Sequence, residues 1–246
     1  MKMIVHVFVA LALPAVGGAA ELAPEGATMH RPMSTIYDLY LGGIRAGELA
    51  IESAFRDGRY SATSVLRTAG VVGALLQASF EAETEGRLGE DGLEPMRFRA
   101  DSRMYSDAQT VEMTYDGRVP ATVDAEPPFD PKPWQIEPGD QAGTLDPISA
   151  ALTALAPAPV DAICDRSVEI YDGRRRYAVD LGEPEVDGDR IVCPARYRRV
   201  AGYKPKELAE TIEFDVWFET RPDGLAHVVR AAGESGLGLA VVLLRE

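Results

Sequence analysis

An arginine triplet, Arg174–Arg176, is the densest group of residues in the chain that could bind a ligand directly. It lies in the stretch CDRSVEIYDGRRRYAVDLG, in a chain whose formal net charge is −14. Adjacent guanidinium groups are suited to carboxylate or phosphate. The Asp-Gly pair before the triplet is typical of a hairpin turn, and strand alternation then places Arg174 and Arg176 on the outer face, near Glu169 and Asp180. The pattern favours outward ion pairs, with an anion site as the alternative.

Other chemically active residue types lack the spacing of a catalytic or metal site. Ser235 lies in AGESGLG, where Leu237 replaces the second glycine of a G-x-S-x-G nucleophile turn. Beyond the N-terminal segment only His30 and His227 remain, which are too few for a typical three-ligand zinc site. The sequence therefore predicts no catalytic residue, no metal site and no cofactor.

Acidic residues alternate in the stretch EPEVDGD, residues 183–189. Calcium takes about six to eight oxygen ligands, and this stretch lacks the spacing and the terminal glutamate of an EF-hand. A solvated turn is therefore favoured. Paired carboxylates that hydrolyse glycosides are brought together by the fold and not by sequence spacing, so a hydrolase of envelope sugars or lipids stays open as a minor alternative.

The first twenty residues have the pattern of a secretory signal peptide. Lys2 precedes an apolar run that is too short to span a membrane, and small residues suitable for cleavage follow the run. We expect a signal peptide over residues 1–20 and a flexible tail over residues 21–34. In the oxidising compartment that export implies, Cys164 and Cys193 are expected to form one disulfide.

The charge balance limits the class of partner. The chain has 39 acidic and 25 basic residues, whereas nucleic acid requires a concentrated basic face. A broad contact with anionic lipid is equally disfavoured. The apolar stretch Gly236–Leu244 is too short for a membrane span and suits a buried terminal strand. We therefore expect neither a nucleic-acid-binding protein nor an integral membrane protein.

The fold class follows from turn signals. Asp-Gly occurs six times, mostly between stretches of alternating or β-branched residues such as TVEMTYDGRVPATV. This is the strongest short hairpin signal, and no βαβ alternation is visible. The pattern predicts a mainly β, antiparallel, curved sheet that forms a single domain over residues 35–246.

One helix is predicted over residues 146–156. Asp146 is a good N-cap and Pro147 suits the first helical position. Three apolar residues then share one helical face, which is expected to pack on the concave side of the sheet: Ile148, Leu152 and Leu155. The stretch Gly70–Gln77 suits either a short helix or a turn.

A proline-rich crossover is predicted over residues 120–145. Six of the chain's 17 prolines lie between Pro120 and Pro138, which excludes a central strand. An extended, exposed connection is favoured. The alternative is a mobile lid that carries Phe129 and Trp134 across a cavity mouth.

One-sided strands such as TIEFDVWFET either pack a core or line a cavity. A long curved sheet with one good helix is not expected to fill its own concave face, which motivates a hydrophobic cavity. The candidate ligand-binding residues are Ile148, Leu152, Phe214, Val216, Phe218 and Trp134.

Several motifs occur in an order that resembles a family of exported Gram-negative envelope proteins, known as the domain of unknown function 3108 family. They are YDLYLGGIRAGEL, DGLEPMRF, TLDPISAAL, CDRSVEIYDGRRRYAV and CPARYRRVAGY, and the resemblance spans about residues 35–245. More distantly, the chain resembles periplasmic lipoprotein carriers and outer-membrane lipoprotein receptors, and β-spiral envelope proteins with one disulfide. This resemblance implies a periplasmic, incompletely closed antiparallel β-barrel with a helix over an apolar cavity, and a non-enzymatic role.

These expectations lead to two main functional hypotheses. The first is a soluble periplasmic binding protein for a hydrophobic or acylated ligand, or for a lipoprotein, that supports the integrity of the cell envelope. The second is a scaffold that binds another envelope protein through its sheet edges or its proline-rich crossover.

Overall fold

The computed structural model describes residues 33–155 and 157–245. These residues form fourteen strands and two α-helices. The helices are α1 (Gly70–Leu76) and α2 (Pro147–Leu155). The strands are β1 (Met33–Leu41), β2 (Ile44–Arg56), β3 (Arg59–Thr68), β4 (Ala78–Gly89), β5 (Gly92–Met104), β6 (Asp107–Asp116), β7 (Val119–Glu126), β8 (Arg166–Tyr171), β9 (Arg176–Leu181), β10 (Glu185–Asp187), β11 (Arg190–Ala201), β12 (Thr211–Thr220), β13 (Ala226–Ser235) and β14 (Gly238–Leu244).

The strands form one sheet in which the first strand lies in the middle. Strands β2 to β7 follow β1 on one side in chain order, while β14, β13, β12, β11, β9 and β8 follow it on the other. The short strand β10 pairs with β11 outside this path. Each named strand pairing is antiparallel, as hairpin connections require. The sheet is long and strongly curled, so its two ends, β7 and β8, approach each other.

The segment before α2 contacts both ends of the sheet. The Gly143 backbone N–H donates to the Arg118 carbonyl beside β7, at 2.9 Å. Two residues later, the Leu145 N–H donates to the Glu169 carbonyl at 3.0 Å, and the Leu145 carbonyl accepts from the backbone N–H of Tyr171 at 2.9 Å. Glu169 and Tyr171 both lie on β8. The sheet is thus an incompletely closed antiparallel β-barrel with one main helix, which confirms the predicted fold class.

The element boundaries correct part of the prediction. The predicted crossover over residues 120–145 begins too early, because Val119–Glu126 forms strand β7. Pro120 is accommodated there since β7 is an edge strand and the register shifts opposite Pro120. The first strand begins at Met33, two residues before the predicted domain start. The signal peptide and all but the last two residues of the predicted tail lie outside the described residues.

Both predicted helical segments are helices. The predicted helix over residues 146–156 is observed as α2, with Asp146 at its N-cap. The segment that suited either a helix or a turn is α1. Neither helix, nor any other helix among the described residues, is long and apolar enough to cross a membrane.

A buried polar network joins α2 to the sheet. One carboxylate oxygen of Asp146 accepts the backbone N–H groups of Ile148 and Ser149, each at 2.9 Å. The other oxygen accepts the hydroxyl of Thr84 on β4, at 2.9 Å, and the hydroxyl of Ser149. The Ser149 hydroxyl also bonds to that of Tyr60 on β3, at 2.7 Å. All four hydrogen-bonding side chains are buried, so the network fixes the helix on the inward face.

The structure contains the predicted disulfide between Cys164 and Cys193, whose Cα atoms are 5.5 Å apart. Cys164 lies just before β8, and Cys193 lies on β11, which pairs with β9. The bond therefore ties the arginine hairpin, β8–β9, to its neighbouring strand, as the sequence indicates.

Replacing both cysteines with alanine is expected to lower the free energy of unfolding by roughly 3.6 kcal/mol. The disulfide closes a loop with a sequence separation of 29 residues, and the figure of roughly 3.6 kcal/mol is the chain-entropy estimate for such a loop. Urea unfolding of the oxidised wild type and the double variant measures the difference. Equal midpoints with equal slopes would contradict the prediction.

Asp146→Ala is expected to destabilise the protein by at least about 2 kcal/mol, because it removes the N-cap of α2 and the buried oxygen that accepts the Thr84 and Ser149 hydroxyls. Burial raises the pKa of Asp146, and the hydrogen bonds from Ser149 and Thr84 partly oppose this rise. Folding therefore makes protonation of Asp146 easier than it is in the unfolded chain. Wild-type stability relative to the non-titrating Asp146→Asn variant is expected to be greatest below the ordinary Asp pKa, about 3.9, and to decline as the pH rises. Urea unfolding at several pH values tests both effects.

Candidate functional site

A cleft opens between the proline-rich segment after β7 and the turn of the arginine hairpin. Its volume is about 230 Å³. We call it the crossover cleft, and its lining residues come from β7, the crossover, the end of β8, the β8–β9 turn and the residue after β11. They are Val123, Phe129, Asp130, Lys132, Trp134, Gln135, Ile136, Glu137, Pro138, Tyr171, Gly173, Arg174 and Gly202.

Part of the wall of the crossover cleft is aromatic and aliphatic. Phe129 and Trp134 are half-buried, as is Ile136, which packs against the core. Tyr171, at the end of β8, is buried. The prolines of the crossover prevent this segment from continuing the sheet, because they cannot donate ladder hydrogen bonds. The segment instead folds over the sheet edge and presents its aromatic side chains to the cleft.

Two cations lie over these aromatic rings. The guanidinium carbon of Arg174 is 5.0 Å from the centre of the Phe129 ring, and the ammonium nitrogen of Lys204 is 5.8 Å from the centre of the Trp134 ring. Both distances are in the cation–π range. Among the described residues, neither cation has a carboxylate within 4.0 Å. Two acidic residues also line the cleft, and one of them, Asp130, contacts Lys132 at 3.5 Å.

The structure divides the arginine triplet. Arg176 is the first residue of β9 and forms the predicted ion pair with Glu169. Asp180, the other predicted partner, pairs instead with Arg198. Arg174 does not lie on a strand, so the prediction of an outward ion pair is wrong for this residue.

Turn chemistry explains the position of Arg174. The Asp172 carboxylate accepts the backbone N–H groups of Arg174 and Arg175, at 2.9 and 2.7 Å. An aspartate that bonds to the backbone two and three residues later holds the chain in a turn. This turn keeps Arg174 off the ladder and directs it over Phe129, whereas the guanidinium of Arg175 lies 5.1 Å from the centre of the Tyr203 ring.

The predicted ligand-binding residues fall into two places. Ile148, Leu152, Phe214, Val216 and Phe218 belong to the hydrophobic core and are each at most 5% exposed. Trp134 lies apart from them in the crossover cleft. The structure therefore does not bring the six residues together in one open site. Among the described residues, no group of three or more metal-ligating side chains is present.

The sequence analysis singled out Phe129 and Trp134 and kept an anion site at the arginine triplet as an alternative, but it did not foresee that Ile136 and Tyr171 line the same cleft as Arg174. The aromatic residues of the crossover were recognised, but the surface that they cover was not. The Asp-Gly turn of the hairpin was the available signal for Arg174. No local pattern indicated that this turn would meet the crossover, because their contact depends on the curl of the whole sheet.

The fold and the cleft define a mainly β, β-barrel-like protein with a candidate binding site at its open seam. The chain belongs to the family described as protein of unknown function (DUF3108), which matches residues 36–230 and confirms the resemblance. It is also similar to a β-barrel-like protein of domain of unknown function DUF1849 from Brucella abortus. The two are 13% identical with a TM-score of 0.47, and the match covers 89% of this chain and 98% of that chain. No curated protein matches the chain.

Gly202→Ala is expected to displace the arginine turn and to destabilise the protein by about 1–3 kcal/mol. A Cβ atom at Gly202 would lie 2.6 Å from the Arg174 carbonyl oxygen, and the glycine has a φ of +82°. Gly58→Ala is the matched control, since Gly58 also has a positive φ, +69°, but nothing lies within 4 Å of its added Cβ. Thermal unfolding measures both variants, and an equal effect of the two would contradict the close approach.

Proposed function

We propose that this protein is a non-enzymatic binding protein of the periplasm, and that it holds an acylated or otherwise hydrophobic ligand with a negative group in the crossover cleft. The observation that carries this proposal is the position of Arg174, which lies over Phe129 without a carboxylate partner among the described residues. Through this binding the protein would support the integrity of the cell envelope.

The composition of the cleft supports a ligand that is both apolar and anionic. Binding sites for small molecules combine a mainly apolar lining with a few polar groups that orient the ligand. Here Phe129, Trp134 and Ile136 offer the apolar surface, and Arg174 and Lys204 offer positive charge above it. An acyl chain end suits the first set, and a carboxylate or phosphate suits the second.

The volume of the cleft limits how much of a ligand enters it. At about 230 Å³, it is smaller than the roughly 300–1,000 Å³ typical of pockets that enclose a whole drug-sized molecule. The cleft therefore suits the end of a chain or one group of a larger molecule, such as the acylated end of a lipoprotein.

Two features support a periplasmic location. The N-terminal sequence has the pattern of a secretory signal peptide. The Cys164–Cys193 disulfide is also typical of an oxidising compartment.

The two tryptophans allow a direct test with dodecanoate as the probe. Trp217→Phe leaves Trp134 as the reporter in the cleft, and Trp134→Phe leaves Trp217, which lies under Arg230 and near Asp187 outside the cleft. Titration is expected to shift the emission of Trp134 saturably, because the acyl chain replaces water beside the ring, and to leave that of Trp217 unchanged. No response of Trp134, or an equal response of both, would contradict the proposal.

Arg174→Gln in the Trp217→Phe background is expected to weaken dodecanoate binding at least fivefold, because it removes the charge over Phe129. Arg198→Gln is the matched control, since Arg198 pairs with Asp180 outside the cleft. Dodecanol, which has the same chain without the charge, is expected to bind more weakly than dodecanoate. Equal affinities in the two variants would show that Arg174 does not recognise the ligand.

The edge strand β7 favours a scaffold as a second candidate function. Among the described residues β7 pairs along one side only, with β6, and several of its side chains are exposed. An extended segment of another envelope protein could add to such an edge. A photo-crosslinker at Ala121 on β7 would then capture one defined partner in cells, whereas the same group at Glu219 on β12 would not. Equal labelling from both positions would contradict the scaffold.

A further inference from the structure

Arg166 is an arginine on the inward face of the barrel. It is the first residue of β8, and alternation along the strand places it on the same side as Val168 and Ile170, which are both buried. Its partner across the β8–β9 ladder is Leu181, also buried. The base of this charged side chain therefore lies among apolar residues. Arg166 is at the N-terminal end of β8, the strand that follows Cys164.

The guanidinium of Arg166 presents an unpaired fork. Its Nε and Nη2 atoms are buried and have no hydrogen-bond partner among the described residues. No carboxylate of the described residues lies within 4.0 Å of it. The residue as a whole is half-buried, whereas these two nitrogen atoms are buried.

Several other arginines in the same half of the sheet are paired with carboxylates. On the outer face, Arg176 pairs with Glu169, and Arg198 pairs with Asp180 at 3.1 Å. Acidic residues outnumber basic ones in this chain, 39 to 25, so partners for arginine are abundant. The lack of a carboxylate at Arg166 is thus not a consequence of the composition.

An unpaired guanidinium fork is suited to bind an anion with two oxygens. Nε–H and one Nη–H of arginine point in parallel and match the oxygens of a carboxylate or phosphate. Burial lowers the pKa of Arg166 to about 10, so the group remains protonated at neutral pH. Desolvated donors without partners are unfavourable, and a bound oxyanion would remove that penalty.

We propose that Arg166 is the centre of a second binding site, on the inward face of the barrel, for the carboxylate or phosphate group of a ligand. The site goes beyond the function proposed for the crossover cleft. Arg166 and Tyr171 lie at opposite ends of β8, and Arg166 does not line the cleft. Val168 and Leu181 are buried apolar neighbours of Arg166 on the same face of the sheet, and an ion pair is stronger where the local dielectric constant is low.

The Arg166 side chain itself is the reporter in the test. In ¹H–¹⁵N spectra of the full chain, the Nε–H signal of Arg166 is assigned by its loss in Arg166→Met. Titration with acetate and with inorganic phosphate, each at constant ionic strength set by chloride, is expected to shift this signal saturably. The Nε–H signal of Arg198, which already donates to Asp180, is expected to stay in place. The anion with the lower dissociation constant identifies carboxylate or phosphate as the natural group.

A second measurement separates binding from a structural role. Arg166→Lys keeps the charge but loses the fork, so it is expected to weaken the binding of the tighter-binding anion at least tenfold. The anion-dependent rise in Tm measures this affinity. Arg166→Met is expected to abolish that rise while its Tm without anion equals or exceeds that of the wild type, because an unpaired charge has been removed. Arg198→Met is the matched control and is expected to keep the rise.

Three results would overturn the proposal. The first is an Arg166 signal that does not move, or that moves equally with chloride. The second is an Arg166→Met variant that is less stable without anion and keeps the full anion-dependent rise. The third is a rise that is lost in Arg174→Gln and retained in Arg166→Met, which would assign the anion to the crossover cleft and leave the function proposed for that cleft intact.

Discussion

The carboxylate of Asp146 is the point at which the crossover, the helix and the sheet are held together. One oxygen caps α2, and the other accepts hydroxyl donors from Thr84 on β4 and from Ser149 on the helix. The residue before it, Leu145, bonds to β8. A fully buried acidic side chain is tolerated only when its oxygens are satisfied in this way. The path of the crossover, and with it the cleft, therefore depends on this one network.

The incomplete closure of the barrel explains why a cleft lies at the seam. A closed barrel satisfies every strand edge, whereas this sheet ends in β7 and β8. The crossover covers part of the gap through Gly143 and Leu145 but has too many prolines to act as a further strand. Its aromatic side chains remain above the seam and meet the arginine turn, so the candidate site results from an edge that the sheet does not pair.

Local signals were sufficient for much of the fold. Asp-Gly turns and alternation predicted the antiparallel sheet, and Asp146 with Pro147 predicted the start of the helix. The same rules failed at Pro120, because proline is excluded from central strands but allowed at an edge, and the sequence alone does not show which strand is the edge. They also failed at Arg174, because the Asp172 carboxylate accepts the backbone N–H groups of Arg174 and Arg175 and so extends the turn.

The candidate site was harder to predict, since it depends on contacts between distant parts of the chain. Phe129 and Arg174 meet only because the curl of the sheet brings β7 and β8 together. The core residues Phe214, Val216 and Phe218 were expected around a cavity, yet they are buried in the hydrophobic core with Ile148 and Leu152. Alternation shows on which face of the sheet a side chain lies, but it does not show whether that face packs against a core or lines an open cavity.

The distribution of arginines distinguishes structural from binding roles in this acidic chain. Several arginines on the outer face of the second half of the sheet, such as Arg176 and Arg198, are paired with carboxylates, and ion pairs near the surface contribute little stability. Arg166 and Arg174 have no such partner among the described residues, although acidic residues are in excess. Arg166 shares its strand face with buried apolar residues, and Arg174 lies over an aromatic ring. In both places a cation without a carboxylate is less stable than a paired one, so an external anion would improve the energetics of each site.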